Sequence, residues 1–136
     1  MLTTVEKVDL QRRAAIFRHV PTPGLTRVAA IANEVDFAPR QVLYEENSPA
    51  DSMFFMLQGE VELARLDRKT RTDGQGQVLG GLAILAGGTH AELAMATQPT
   101  RVLQIDRQDL LDAMAEDFSV TRGVLKALAG MASGAS

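Results

Sequence analysis

The sequence predicts an α+β fold, mainly β, in which a small antiparallel β unit carries helices at its N- and C-termini. Two patterns lead to this prediction. Apolar residues recur at helical spacing near both ends of the chain, and short apolar or alternating runs bounded by turn residues fill the middle. Because the 136 residues contain no internal repeat, heptad pattern or long linker, we expect a single domain over residues 1–136.

Helical signals occupy residues 3–32, approximately. Thr3 and Glu6 match a capping box, so the first helix is expected to start there and to run to about Phe17. The segment VPTPG at 20–24 then interrupts the helix. Thr22 is expected to cap a second helix with Pro23 at its first position, and the apolar face of that helix continues to residue 32.

Strand signals occupy residues 35–106, approximately. They are the runs 35–37, 41–44, 53–57, 60–65, 91–96 and 100–106. The continuous apolar run at 53–57 is typical of a strand buried on both faces. Residues 67–77 are polar and contain glycine, so we expect a hairpin loop there, with Arg68, Lys69 and Arg71 at its solvated tip.

Helical signals return at about 107–131. Asp106 is expected to cap a helix that ends near Glu116, and Ser119 or Thr121 is expected to open the last helix. One side of this helix carries an apolar stripe, formed by Val120, Val124, Leu128 and Met131. Because the stripe is short and interrupted by glycine, packing within the chain is favoured over self-association.

Composition excludes several functions. The net charge is −3, and the chain has no Cys and two His. These counts exclude disulfides, a cysteine nucleophile and a three-His metal site, and no nucleophile elbow or acid–base pair is present, so no enzyme activity and no metal are predicted. The slightly acidic balance disfavours nucleic-acid binding. No signal peptide is evident and the apolar run 78–89 is too short to cross a bilayer, so a cytoplasmic location without membrane insertion is expected.

The segment 37–63 carries a more specific pattern. It reads FAPRQVLYEENSPADSMFFMLQGEVEL, with turn residues and apolar strands in the order typical of one family. The segment resembles the first half of a cyclic nucleotide-binding domain, and the resemblance covers about residues 5–130. It implies an antiparallel eight-stranded β-roll of the double-stranded β-helix or jelly-roll type, with helices before and after the roll. Arg40 and Asn47 stand where the family has glycine, so either the first turn needs no positive φ or Arg40 is strained.

The resemblance also implies where a ligand would bind. The family's phosphate-binding cassette corresponds to residues 80–93, GGLAILAGGTHAEL, in which a helix N-terminus meets the phosphate. Gly81 stands at the position of the family's ribose-binding Glu and Ala91 at that of its phosphate-binding Arg. His90, expected to be exposed at a strand start, is the nearest cationic candidate. The candidate ligand-binding residues are Gly80, Gly81, Leu82, Ala83, Thr89, His90, Ala91 and Glu92.

Two functions remain open. The first is a regulatory sensor domain that binds cAMP, cGMP or another small anionic ligand in a remodelled pocket and signals through the helices at 107–131. The second is a protein-interaction or dimerisation module that keeps the fold without the ligand. No cofactor is predicted; a cyclic nucleotide is a candidate ligand. In either case the C-terminal helices are the expected contact with an effector domain or a second copy.

Overall fold

The chain folds into two compact units in a computed structural model that describes residues 1–66 and 68–133, with the side chains of 68–70 left aside. The helical unit comprises residues 1–32 and 108–133, and the strand unit comprises residues 33–107. The elements are α1 (Thr4–Arg12), a 3-10 turn (Ala15–Phe17), α2 (Thr22–Ala30), β1 (Ala32–Phe37), β2 (Val42–Tyr44), β3 (Ser52–Gln58), β4 (Val61–Arg65), β5 (Arg68–Asp73), β6 (Val78–Leu79), α3 (Gly81–Ala86), β7 (Leu93–Ala96), β8 (Thr100–Asp106), α4 (Arg107–Glu116) and α5 (Phe118–Ala132).

The helical unit starts with the capping box that the sequence predicts. The Thr3 hydroxyl accepts a hydrogen bond from the Glu6 amide at 3.1 Å, and the Glu6 carboxylate accepts one from the Thr3 amide at 3.0 Å. The first helix ends earlier than expected, at Arg12, and Phe17 lies in a separate 3-10 turn. The ammonium of Lys7 in α1 donates to the Ala32 carbonyl at 2.7 Å, which ties α1 to the chain just after α2.

Three helix boundaries differ from the expectation. The second helix starts one residue earlier than predicted, because Pro21 takes the cap position and Thr22 is already helical, and it ends at Ala30. The last helix is capped by Asp117, whose carboxylate accepts from the Ser119 amide at 3.0 Å, so neither Ser119 nor Thr121 is the cap. Residue 32, predicted to end the helical face, begins β1 instead.

The strand unit contains eight antiparallel strands among its described residues, arranged in two four-stranded sheets. Their orders are β1-β8-β3-β6 and β2-β7-β4-β5. This arrangement, with helices before and after it in the chain, confirms the predicted β-roll and its α+β class. The strand β3 pairs with both β6 and β8, and its residues Met53–Met56 are all buried, as predicted for a strand covered on both faces.

Residues 68–73 do not lie in a loop as predicted. Residues 68–73 form β5, which pairs with β4 in the register Leu63↔Arg71 and Val61↔Asp73, while residue 67 lies outside the described residues. The sequence lacks apolar residues here, so the alternation of apolar and polar residues that predicts a half-buried strand is missing. Arg71 is therefore a strand residue, and its placement at a solvated hairpin tip was wrong.

The core between the two sheets is made of apolar side chains from both. Phe54 lies at its centre and contacts the ring of Phe37 edge-on at 6.2 Å and the ring of Tyr44 in a stacked arrangement at 6.0 Å, between centroids. The remaining members come from seven strands. They are Val35, Leu43, Met56, Val61, Leu63, Leu79, Ala94 and Val102.

The two turns that lack the family's glycines do adopt positive φ angles. Arg40 has φ 74° and Asn47 has φ 67°. Of the two explanations left open for Arg40, that the turn needs no positive φ is therefore wrong. Neighbouring hydrogen bonds hold the turn in place, since the Arg40 amide donates to the Ala96 carbonyl at 2.7 Å and the Gln41 amide donates to Ala38 at 3.0 Å.

Candidate functional site

The candidate cassette forms a tight turn followed by one short helix. Gly80 has φ 78°, α3 runs over Gly81–Ala86, and Gly87 ends it with φ 69°. The backbone closes on itself at both ends, because the Ile84 amide donates to the Gly80 carbonyl and the Gly88 amide donates to Ala83, each at 3.1 Å. The turn and short helix expected from Gly80, Leu82 and Ala83 are therefore present.

Glycine is required at position 80 for two reasons. Its backbone is left-handed, and a Cβ there would lie 2.9 Å from the Cε1 atom of His90 and 3.2 Å from the Ser52 carbonyl. The start of the cassette helix thus packs directly on the imidazole of His90. A side chain at this position would move either the helix or the imidazole.

His90 is buried, contrary to the expectation that it is exposed. Its side chain stacks on the ring of Tyr44 with centroids 3.7 Å apart and planes 14° from parallel. Its backbone is held on both sides, because its amide donates to Ser48 at 3.0 Å and its carbonyl accepts from Asn47 at 2.8 Å. These contacts leave His90 only 3% exposed to solvent. Sequence reasoning missed this burial because the stacking partner lies about 45 positions away in the chain.

Burial also decides the charge of His90. It lowers the pKa of the imidazole below the usual 6.5, and the carboxylate of Asp51 opposes this shift only in part. The imidazole is consequently neutral at neutral pH. His90 can act there as a hydrogen-bonding and stacking group, and it does not supply the positive charge that an anionic ligand requires.

A guanidinium reaches the cassette from a different strand. In register, Tyr44 of β2 lies beside Ala94 of β7, Ala94 beside Leu63 of β4, and Leu63 beside Arg71 of β5. Leu63 and Ala94 are buried members of the core, so this row of side chains marks the inner face of the second sheet. Arg71 therefore lies at the end of the inner row that starts at Tyr44.

Arg71 is held by two carboxylates. Its Nη1 lies 3.2 Å from Glu92 Oε1, and its Nε lies 3.3 Å from both oxygens of Asp73. The Arg71 side chain is 54% exposed, whereas the side chains of Asp73 and Glu92 are 5% and 13% exposed. Among the side chains that the structure describes, this cluster has one positive charge, on Arg71, and two negative charges, on Asp73 and Glu92. Glu92, a candidate ligand-binding residue, is paired with a cation that the sequence did not place near it.

Tyr44 connects the buried imidazole with this charged cluster. Burial is the main cause that raises the pKa of its phenol to about 12, and the nearby carboxylates of Glu92 and Asp73 raise it further while Arg71 opposes them. The phenol is therefore protonated throughout the ordinary pH range. Tyr44 presents one ring face to His90, and the charges of the cluster act on its phenol, so it is a member of the candidate site that the sequence did not indicate.

The other predicted site residues lie along the cassette. Gly81 is buried in the first turn of α3 and Ala83 is half-buried, whereas Leu82, Thr89 and Ala91 are exposed. Thr89 forms a β-bridge with Pro49, which joins the end of the cassette to the loop before β3. Gly81 and Ala91 bring neither a carboxylate nor a guanidinium to the site.

Arg107 is a further residue at the cassette that the sequence did not indicate. Its Nε donates to the Ile84 carbonyl at 2.7 Å, and a Cβ on Gly87 would lie 2.9 Å from its Nη2. The guanidinium thus covers the C-terminal end of α3, where exposed carbonyls favour a cation. Because α4 begins at Arg107, this contact joins the cassette helix to the first residue of the C-terminal helices.

Over residues 1–66 and 68–133, no group of three or more His, Cys, Asp or Glu is placed to hold a metal ion. Within the same ranges, no helix is both long and apolar enough to cross a membrane.

Comparison with known proteins identifies the family. The sequence model of the cyclic nucleotide-binding domain matches residues 34–117, which is more than half of the chain. The chain belongs to the cyclic nucleotide-binding domain family. The predicted resemblance is thereby confirmed.

Individual relatives of this cyclic nucleotide-binding domain are distant. The CRP-like cAMP-activated global transcriptional regulator of Mycobacterium tuberculosis is 23% identical over 126 residues, which cover 89% of this chain and 56% of that protein. The N-terminal domain of a transcriptional regulator from Streptomyces coelicolor superposes with a TM-score of 0.84 at 21% identity, covering 93% of this chain and 91% of that one.

A ligand-bound relative has the same fold. The regulatory domain of Toxoplasma gondii PKA, crystallised with cAMP, superposes with a TM-score of 0.76 at 17% identity, covering 81% of this chain and 44% of that one. At these identities the structural likeness shows the fold alone. The chain spans between 29% and 56% of the length of the curated relatives that it matches.

Proposed function

We propose that this domain is a regulatory sensor whose strand unit binds a small anionic ligand of the cyclic nucleotide type, with Arg71 as the group that meets the anion. The position of the Arg71 guanidinium carries this proposal. It lies on the inner face of the second sheet and contacts Glu92, which belongs to the cassette. Bidentate hydrogen bonding makes arginine well suited to a phosphodiester.

The pairing of Arg71 sets the cost of binding. An anion that approaches the guanidinium must displace Glu92 or Asp73, and the cluster already has more negative than positive charge. Gly81 offers no acceptor for a ribose hydroxyl and Ala91 no second guanidinium. Each missing charge-assisted hydrogen bond costs on the order of 1.5–3 kcal/mol, so we expect weak binding of cAMP or cGMP.

Calorimetric titration with millimolar cAMP and cGMP tests the proposal. Glu92→Gln frees Arg71 from one competitor and should increase affinity about tenfold or more. Arg71→Gln should abolish binding. Arg101→Gln, which removes the exposed ion pair with Asp36 on the same unit, is the matched control and should leave affinity unchanged.

A second function is favoured by the same ion cluster. Because Glu92 and Asp73 already neutralise the Arg71 guanidinium, the guanidinium does not require an anionic ligand. The domain can then serve as an interaction module without a ligand. In that case neither the native protein nor Glu92→Gln binds either nucleotide. The double substitution Gly81→Glu with Ala91→Arg then supplies the two cassette side chains that this sequence lacks. If this variant binds a nucleotide, only the missing side chains prevented binding by the native protein.

Self-association or effector contact through α4 and α5 remains a prediction, which sedimentation can test.

A further inference from the structure

A cleft in the helical unit is a second candidate site, independent of the strand unit. Its volume is about 580 Å³. Residues 18–21, between the 3-10 turn and α2, form one wall, and the first turns of α5 form the other. Its lining includes Arg18, His19, Pro21, Phe118, Arg122 and Lys126.

Close packing brings the two walls together. Gly123 of α5 is buried, and a Cβ on it would lie 2.8 Å from both the amide nitrogen and the Cα atom of Val20. Because residue 123 lacks a side chain, the segment 18–21 passes directly beside α5. Phe118, Arg122 and Lys126 follow one another at intervals of four, so they form a single ridge along the helix next to that segment.

The cleft concentrates positive charge. Arg18, Arg122 and Lys126 all line it, His19 lies beside them, and no lining residue is acidic. Over the described residues, none of these four side chains forms an ion pair, whereas Arg27 pairs with Glu116 elsewhere on the same unit. The whole chain has a net charge of −3, so this local excess runs against the overall balance.

An exposed aromatic ring accompanies the charges. Phe118 is 69% exposed, and Pro21, which is also exposed, lines the same cleft. A large apolar side chain left in water beside unpaired cations marks a surface that is completed by a partner. The ligand that complements both features has carboxylates near an apolar side chain.

We propose that this cleft binds an acidic peptide segment of a protein partner, with one apolar side chain against Phe118 and Pro21 and flanking carboxylates at Arg18, Arg122 and Lys126. The long, exposed cationic side chains suit carboxylates spread along an extended segment. The concave shape of the cleft suits a strand-like segment better than a flat lipid surface.

Fluorescence anisotropy with a labelled peptide of glutamate and leucine tests the proposal. The native protein should bind it saturably, and affinity should fall as sodium chloride increases. Arg122→Glu and Lys126→Glu should each weaken binding at least tenfold, and Phe118→Ser should weaken it as well. Arg13→Glu, at an exposed arginine of the helical unit outside the cleft, is the control and should bind normally.

Three results would overturn the proposal. The first is equal binding of a peptide with glutamine in place of glutamate. The second is an equal loss of affinity in Arg13→Glu and Arg122→Glu, which would indicate a general charge effect. The third is binding of phosphatidylserine vesicles, but not of the peptide, through Arg122 and Lys126, which would assign the surface to a membrane.

Stability gives an independent readout. Like charges around one cleft repel each other, so Arg122→Gln should leave the melting temperature unchanged or raise it while it weakens peptide binding. If the melting temperature falls instead, the arginine serves the fold and the assignment to a partner is wrong.

Discussion

At the residue scale, the positive φ of Arg40 is a local cost that the rest of the strand unit imposes. Its amide is fixed to the Ala96 carbonyl, so the turn cannot relax to a negative φ without losing that hydrogen bond. A non-glycine residue in the left-handed region costs roughly 1–2 kcal/mol. The family's glycine at this position removes that cost, and this sequence does not use it.

Replacing Arg40 by glycine should therefore stabilise the protein. Glycine relieves the left-handed strain but has more freedom in the unfolded chain, so the expected net gain is about 0.5–1 kcal/mol in the free energy of unfolding. Urea denaturation measures it. Arg40→Ala keeps a Cβ and should leave stability unchanged; an equal gain in both variants would show that the arginine side chain, and not its φ, was the cause.

Burial of His90 has a consequence for the pH dependence of stability. Its pKa is lower in the folded protein than in the unfolded chain, so below about pH 6.5 the unfolded state binds more protons. The folded state therefore loses stability as the pH falls below 6.5. Tyr44, which stacks on the imidazole, stays protonated, and Asp51 is the carboxylate that opposes the shift.

Replacing His90 by glutamine should flatten this pH dependence. Melting temperatures of the native protein and of His90→Gln are compared at pH 7.5 and pH 5.5, roughly one unit on either side of the usual histidine value. The drop on acidification should be smaller in the variant. His19→Gln, at an exposed histidine, is the control. If the native protein and His90→Gln lose stability equally on acidification, the imidazole is not the responsive group.

At the element scale, glycine in α5 has a packing role that outweighs its low helix propensity. The sequence suggests that Gly123 merely weakens the apolar stripe, yet Val20 occupies the space where its side chain would be. Val120 and Val124 on the same helix are buried, as the stripe predicts, whereas Met131 is largely exposed. The close contact between α5 and residue 20 is a tertiary feature that helix propensity cannot show.

Adding a methyl group at Gly123 should accordingly destabilise the helical unit. The new Cβ would lie 2.6 Å from Val20 Cγ2 and 2.8 Å from its backbone, so we expect Gly123→Ala to cost about 1–3 kcal/mol, despite a better helix propensity. Thermal denaturation monitored by circular dichroism measures it. Gly88→Ala, where a Cβ meets nothing within 4 Å, is the matched control. A variant at 123 as stable as the native protein would contradict the contact.

The strand β5 shows why part of the site could not be predicted. Its sequence, RKTRTD, has no apolar residue, so periodicity indicates a loop. Only pairing with β4 shows that Arg71 and Asp73 share a face with Leu63 and Val61. A cluster formed by side chains on β5 and beside β7 depends on sheet order, which local sequence does not specify.

At the scale of the whole molecule, charge is unevenly divided between the two units. The strand unit, residues 33–107, has seven Lys and Arg against eleven Asp and Glu, whereas the helical unit has seven against six. The ion pairs Arg27–Glu116 and Arg101–Asp36 are exposed and contribute little to stability. These ion pairs therefore offset only part of the repulsion between carboxylates in the strand unit and between cationic side chains in the cleft.

Moderate salt should stabilise the protein. The screening length falls from about 30 Å at 0.01 M to about 8 Å at 0.15 M ionic strength, which weakens repulsion between exposed like charges. The melting temperature should rise between these two concentrations of sodium chloride. Potassium chloride should act identically, since screening depends on ionic strength. A falling melting temperature would show that attractive ion pairs dominate.

The sequence by itself determined the α+β class, the capping box at Thr3 and the apolar strand at 53–57, of which residues 53–56 are buried, because these depend on local periodicity and turn chemistry. The position of the cassette came from the resemblance of the sequence to the family. Only the tertiary structure decided that His90 is buried against Tyr44, that Arg71 meets Glu92, and that Arg18 faces the same cleft as Arg122. These contacts join residues far apart in the chain. They depend on sheet register and helix packing, which the order of residues along one element does not contain.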